Sequence, residues 1–411
     1  MFMLEKLSTN AAKMNHPANC WTKSAENWVN SRQVMKRVVV SVINDLSSDQ
    51  RVHKVCSTLE KMGVEVELVG RLLPESKALE RSYRTTRMRL WWRKGPAFYI
   101  EFQIRLFFLL MARKADLLVS NDLDTLLPNY LVSRLKKIKL VYDTHEYFTG
   151  VPELEEAPVK RKIWETVEAF IFPKLPEAIT VNASIADVYA EKYGSKMIVV
   201  RNVPQRISRE FYPSKEELRN KLGIDLKKTI LLMQGAGINM DRGAEEAVEA
   251  MQYLDDAFLY IIGSGDVFPI LPSLANKFGV TERIKIIGRL PYEQLLEYTM
   301  AADWGLTLDK PTNLNYQMSL PNKVFDYIQC HLPVISSGVK EINSLFGRYP
   351  VGFCLEAVNP RYIAQVVKTI SIDSEQYAAF QQTCVSASVD LCWENESKVL
   401  TSLYKRKLEL I

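Results

Sequence analysis

The chain has 411 residues, of which 47% are hydrophobic and 25% charged, with a formal net charge of +5. That is enough apolar material for two or three globular domains, and so mild a positive charge does not point to a nucleic-acid partner. The six cysteines (Cys20, Cys56, Cys330, Cys354, Cys384, Cys392) lack metal-ligand or disulfide spacing, so a reducing, cytoplasmic setting is expected and a protein-held metal is not.

Residues 1–35 are polar and mixed, without an apolar signal core, and read as a loosely ordered leader. The first structural signal is Arg37–Ile43, a continuous apolar run of the kind buried on both faces of a parallel sheet. Asp49 follows as the cap of a helix running to Met62, and Gly63 ends it. Val64–Val69 completes a strand–helix–strand unit, without the GxGxxG of a dinucleotide-binding fold. Arg81–Lys94 reads as a basic loop carrying Trp91 and Trp92. It suits either an anionic membrane surface or plain solvation. An aromatic helix, Phe98–Lys114, comes next. Its longest apolar run, Leu106–Ala112, is far below the ~20 residues of a membrane span, so none is expected.

Strands at Asp116–Ser120, Lys139–Asp143, Ala178–Val181 and Met197–Arg201 then alternate with helices, which predicts an α/β domain with a parallel sheet over residues 36–205. The pattern lapses at Asn202–Pro213 and resumes in a second α/β domain, residues 206–388. Its strands are expected at Lys228–Gln234, Phe258–Ile262, Ile284–Ile287, Trp304–Leu308, Val334–Ser336 and Val351–Cys354. A helical tail covers residues 389–411. In such sheets ligands sit at the carboxyl ends of the strands, and a cleft between two of them is the default site.

The residues suited to chemistry gather at those ends. Ser319 is expected to cap a helix, with Pro321 in its first turn. That places Asn322 and Lys323 where free N–H groups and the helix dipole favour an anion, with Asp326 one turn later for ribose hydroxyls. The plain alternative is an ordinary capped helix with a solvated lysine. Gly235-Ala236-Gly237 lets backbone N–H groups approach a ligand closely, and Arg242, at the next helix start, can bind phosphate in bidentate fashion. Gly263 and Gly265 form a second tight turn, which suits either direct contact with a ligand or a plain glycine turn with Asp266 as helix cap, and in Ile287–Pro291 the Gly288 and Leu290 can frame a flat base. In the first domain His145 lies at a strand end between Asp143 and Glu146, near Asp122, while Asp49 and Arg51 open the first helix.

Taken together, Asp49–Val52, Tyr142–Glu146, Gln234–Gly243, Ile262–Asp266, Ser319–Ile335 and Leu391–Glu394 resemble, in order and spacing, the family-four retaining GT-B glycosyltransferases. The likeness runs from Arg37 to Lys405. It implies two Rossmann-like domains facing a central cleft, an acceptor domain first and a donor domain second, with the tail helix crossing back to the first. It implies a retaining hexosyltransferase that moves a sugar from a nucleotide-sugar donor to a glycan or lipid-linked acceptor in surface-polysaccharide assembly, on the cytoplasmic face of a membrane. Arg242 and Lys323 would neutralise the departing diphosphate with no metal, and His145 would lie near the reacting sugar. Gly235, Ala236, Gly237, Gly263, Gly265, Arg289, Leu290, Asn322 and Asp326 would hold the donor, with Asp49, Arg51, Asp122 and Glu146 on the acceptor side. The chain departs from the family pattern at Met318, in place of a glutamate, and at Gln329-Cys330-His331, where small residues are usual. A nucleotide-sugar 2-epimerase and a non-catalytic sugar-nucleotide-binding subunit are the rival readings.

Overall fold

The computed structural model describes residues 35–410 except 48 and 156, so the expected leader lies, apart from Met35, outside them. The apolar run at the start is a central strand, β1 (Arg37–Asp45), paired on both edges, and Val38 to Val42 are buried because both faces of the sheet are covered, Val38, Val40 and Val42 in one core and Val39 in another. Around it β2 (Glu65–Leu72), β3 (Arg84–Arg89), β4 (Leu117–Asn121), β5 (Lys139–Thr144), β6 (Ala178–Thr180) and β7 (Met197–Val199) form a parallel sheet in the order β3-β2-β1-β4-β5-β6-β7. The second sheet holds β8 (Thr229–Gly235), β9 (Ala257–Gly263), β10 (Ile284–Ile287), β11 (Trp304–Thr307), β12 (Val334–Ser337) and β13 (Gly352–Leu355), ordered β10-β9-β8-β11-β12-β13 and also parallel. In each sheet the strand order reverses beside the central strand, where a crevice opens at the carboxyl ends.

Seven helices build the cleft, the domain crossover and the outer face of the first domain: α1 (Gln50–Lys61), α2 (Gly95–Ala112), α3 (Leu123–Lys136), α4 (Pro158–Ile171), α5 (Asn322–Gln329), α6 (Ser374–Asp390) and α7 (Trp393–Leu408). Asp49 caps α1 as expected, accepting from the Val52 N–H at 3.0 Å, and Gly63 takes φ +77° past its end.

Two expectations are corrected. The basic segment is not a loop throughout, since β3 extends the sheet edge beside β2. Arg84 and Arg87 pair with Glu67 and Asp45, so the basic side chains that read as solvated partly serve the strand pairing. And α2, at 18 residues with mean hydropathy 1.2, is long and apolar enough to cross a membrane by length and composition. Its Phe98, Phe102, Leu106 and Leu110 nevertheless pack into the first domain's core, which makes one side of α2 part of a helix layer.

Leu391 and Cys392 break the tail into α6, which packs on the second domain, and α7, which crosses to α1. The crossing is fixed by Trp393, whose indole N–H donates to Thr58 Oγ1 at 3.1 Å and whose backbone N–H donates to the Pro204 carbonyl at 2.8 Å. Gln329 ties the same junction: fully buried, it donates to the carbonyls of Ser388 and Leu391 and accepts from the Ile207 N–H. The bulky residue there thus holds the crossover in place. The two domains face one another across a cleft with the last helix returning to the first, a GT-B architecture.

Candidate active site

The cleft has a volume of about 520 Å³, and both domains line it, the first through Asp49, His145 and Asn182 and the second through Arg242, Met318 and Asn322. Direct hydrogen bonds join its walls. Asn315 accepts from the Tyr147 N–H at 3.3 Å and donates to Glu146 at 3.2 Å, and Asn182 donates to the Met318 carbonyl at 2.8 Å.

On the donor side, Arg242 sits one residue before the turn into its helix, over the Tyr316 ring with its guanidinium 4.0 Å from the centroid. It donates to Asp309 Oδ2 at 2.6 Å, and Lys323 Nζ lies 3.9 Å from Asp309 Oδ1. Burial lowers the Lys323 pKa; Asp309 opposes that and the Arg242 charge adds to it. Arg242 Nε and Asp309 Oδ1 are buried without a hydrogen-bond partner among the described residues. The group therefore holds two cations against one carboxylate, a net positive charge with donors to spare. Asp309, which lies just past β11, is the functional candidate that sequence reading missed. Nothing in its neighbourhood forms a motif, and only the fold brings it between Arg242 and Lys323.

Asn322 and Lys323 do form the first turn of α5, but Ser319 does not cap it. Its own N–H closes the preceding turn onto the Tyr316 carbonyl, the helix begins after Pro321, and the Ser319 hydroxyl lies 3.5 Å from Asp309 instead. Asp326, one turn on, accepts from Tyr292 at 2.8 Å and from Gln234 at 3.3 Å. Burial pushes its carboxyl up to about 6, against the Tyr292 hydrogen bond, the Lys54 charge and the Gln234 hydrogen bond.

The two glycine turns interlock. A Cβ on Gly263, at φ +143°, would stand 1.8 Å from the Gly235 carbonyl oxygen, and one on Gly265 would stand 1.9 Å from that of Ile238. These glycines are required by packing between turns. Around Gly235 and Gly237 no atom lies closer than 3.5 Å to such a Cβ, which leaves that backbone approachable by a ligand. Arg289 bridges the turns, donating to Ser264 Oγ at 2.7 Å and the Ala236 carbonyl at 3.2 Å, with Leu290 half-buried beside it. Asp266 is not a helix cap: it accepts from the Met240 N–H at 2.8 Å, and the next helix starts only at Leu271.

Across the cleft, His145 is held by Asp122 twice, backbone N–H to Oδ1 at 2.8 Å and Nδ1 to Oδ2 at 3.2 Å. Its Nε2 has no hydrogen-bond partner among the described residues and lies 3.9 Å from Asp143 Oδ2. Asp122 adopts φ +57°, a left-handed conformation costly for aspartate and found where surrounding structure enforces it. Burial raises the Asp122 pKa, and the His145 charge opposes that. Arg51 is 3% exposed and donates to Asp143 Oδ1 at 2.8 Å and the Val200 carbonyl at 2.9 Å. It anchors Asp143 behind the histidine, and breaking such a buried pair costs about 3–5 kcal/mol. Asp49 is occupied as the α1 cap and accepts from Asn44 at 3.2 Å. Among the described residues no group of three or more His, Cys, Asp or Glu side chains is placed to hold a metal ion.

If Asp326 holds ribose hydroxyls, it accepts as the carboxylate. Nucleotide-sugar affinity is then expected to be about tenfold weaker at pH 5 than at pH 8, because the ionised fraction falls below a carboxyl pKa of about 6. Calorimetric titration of wild type against Asp326→Asn checks this; a flat wild-type profile removes Asp326 from that role.

A family model described as Glycosyltransferase Family 4 matches residues 49–203, and one described as Glycosyl transferases group 1 matches residues 214–384. A Bacillus subtilis (strain 168) protein named for a teichuronic acid biosynthesis glycosyltransferase, TuaC, is 27% identical over 137 residues, 33% of this chain and 31% of that protein's length. Sucrose-phosphate synthase from Thermosynechococcus elongatus superposes with a TM-score of 0.75 at 15% identity, over 92% of this chain and 100% of that one. Anabaena HepE, solved with UDP-glucose, gives 0.69 at 12% identity over 90% and 99%. At such identities the structural likenesses establish the fold alone. With family models matched in both domains, on the fold these enzymes share, this chain belongs to the group 1 glycosyltransferases.

Proposed function

We propose that the protein is a retaining glycosyltransferase that moves a hexose from a nucleotide-sugar donor to a glycan or lipid-linked acceptor in surface-polysaccharide assembly, working peripherally at the cytoplasmic face of a membrane. One observation carries the reading: Arg242, which shares Asp309 with Lys323 in a group of excess positive charge, and His145, held by Asp122, line opposite walls of one cleft. The diphosphate lies on the donor wall, between the first turn of α5, the Gly235–Gly237 backbone and the two cations. As the bond from sugar C1 to the phosphate oxygen breaks, its electron pair leaves with the diphosphate. Fixed cations and helix-end N–H groups meet that charge without reorganising. The acceptor hydroxyl oxygen bonds to C1, and its proton passes to the leaving phosphate oxygen. His145 faces the sugar from the other domain, with its orientation set by Asp122. Retention and the hexose preference rest on the family-four likeness, and the pathway rests on the TuaC match.

The test is product analysis with nucleotide sugars, with and without lipid-linked or oligosaccharide acceptors. Transfer should require acceptor and persist in the presence of chelator. Acceptor-independent conversion of the donor would instead support a 2-epimerase, and donor binding without turnover a non-catalytic subunit.

A further inference from the structure

The two walls of the cleft differ in charge. The positive charge belongs to the second domain, where Arg242 and Lys323 share Asp309. The first domain lines the same cleft with Asn44, Asp49, Gln50, Glu146 and Asn202, a set of amides and carboxylates. Among the described residues lining that wall, Arg51 is the one cation besides His145, and it is already engaged. It is 3% exposed, and its guanidinium is committed to Asp143 and the Val200 carbonyl. Lys54, the next basic residue on α1 after His53, is engaged too, donating to Asn202 Oδ1 at 2.8 Å and to the Val203 carbonyl.

These contacts also fix what the amides offer. An ammonium only donates and an ionised carboxylate only accepts, so the partner of each amide assigns its two ends. Asn202 gives its oxygen to Lys54, which leaves its NH2 group to donate. Asn44 gives its NH2 group to Asp49 Oδ2 at 3.2 Å, which leaves its oxygen to accept. Asp49 takes that bond and the Val52 N–H, two of the roughly four hydrogen bonds a carboxylate can accept. Asn182 and Asn315 are already used in joining the domains. The wall therefore mixes donors with acceptors and carries an excess of negative charge. A sugar hydroxyl, which both donates and accepts, matches it. A carboxylate or phosphate, which only accepts, would meet Asp49 and Glu146 there with no free cation beside them.

We infer that the acceptor unit entering this cleft is an uncharged sugar bound through its hydroxyls, and that a uronic acid or phosphorylated sugar at that position is rejected. The inference rests on the reading of the cleft as a glycosyl-transfer site and deepens it by naming the class of the accepting residue. It concerns that residue alone, not charge further along a glycan or lipid-linked acceptor. Selectivity of this kind comes from like charge set against the wrong ligand as much as from contacts to the right one.

The experiment compares octyl hexosides with the matched octyl hexuronides, which differ only at the sugar's sixth carbon, as acceptors for the full chain. Wild type should favour the hexosides by about tenfold or more in kcat/KM. Salt should narrow that gap, because screening weakens repulsion and leaves a steric clash untouched. The combined Asp49→Asn, Glu146→Gln variant removes both charges and keeps hydrogen-bonding groups, and asparagine caps a helix as well as aspartate does. Its preference should fall to about threefold or less. Asn44→Lys, at an exposed position, should shift preference toward the hexuronides. Hexuronides used as well as hexosides by wild type, or a preference that neither salt nor either variant alters, overturns the inference. So do hexosides that neither accept sugar nor bind, in a chain that nucleotide stabilises; the donor wall would then stand without this acceptor class. Absence of any nucleotide response, with hexosides still bound in preference to hexuronides, would leave the sugar-binding wall and sink the reading of the cleft as a donor site.

Discussion

Lys323→Ala is expected to weaken nucleotide-sugar binding by about 10- to 100-fold, the loss of a charge-assisted contact to phosphate. Turnover should fall further, by about 10²- to 10³-fold, because the charge on the leaving diphosphate grows as the bond breaks. The reason lies in the charge balance at Asp309. Wild type sets Arg242 and Lys323 against a single buried carboxylate; the alanine variant leaves Arg242 and Asp309 as a neutral pair. A phosphate arriving there finds Arg242 already engaged at 2.6 Å with Asp309 and no surplus positive charge. Lys323→Arg should recover part of the binding and less of the turnover, since the charge returns but the geometry does not. Removing both cations leaves Asp309 buried and uncompensated, and donor binding should vanish. Titration calorimetry and steady-state kinetics read all three variants. Unchanged nucleotide affinity in Lys323→Ala would remove Lys323 from the phosphate site.

The second large effect is expected at His145. His145→Ala should lower kcat by about 10²- to 10⁴-fold, the range for losing a positioned proton-handling or orienting group. Donor affinity should change by less than about threefold, because the phosphate contacts belong to the opposite wall. Asp122→Asn should lower kcat as well, since Asp122 holds both the backbone and the ring of His145. Equal losses in kcat and affinity, or a matching drop in melting temperature, would recast His145 as a structural residue that keeps Asp122 in its left-handed conformation.

Burial decides how much of the fold is legible in the sequence. Runs such as Arg37–Ile43 and Ile284–Ile287 are strands because parallel strands covered on both faces must be apolar throughout, and that pattern needs no tertiary knowledge. β3 escaped because Arg84-Thr85-Thr86-Arg87-Met88-Arg89 uses its arginines to pair with β2 and Asp45, so an edge strand looked like a basic loop. The alternation and paired threonines were the available signal. The cap expected at Ser319 failed because Pro321 shifts the helix start, a matter of one turn's geometry that residue preference does not resolve. Arg242, Lys323 and His145 could be picked out because strand ends and helix starts are where such side chains face a cleft. Asp309 could not, since its part depends on two residues far from it in sequence. Gln329 is similar: its three hydrogen bonds reach the linker and the end of α6, neither of which is marked by local pattern.

The central claim is that the cation-rich wall of the cleft holds a nucleoside diphosphate. The most direct measurement is thermal stabilisation of the purified protein by UDP, GDP, ADP and CMP and the corresponding nucleotide sugars, since a ligand that binds the native state raises its melting temperature by mass action. A clear upward shift with one diphosphate and its sugar, abolished by Lys323→Ala, is the predicted result. No shift with any nucleotide, or a shift that Lys323→Ala leaves intact, would contradict it.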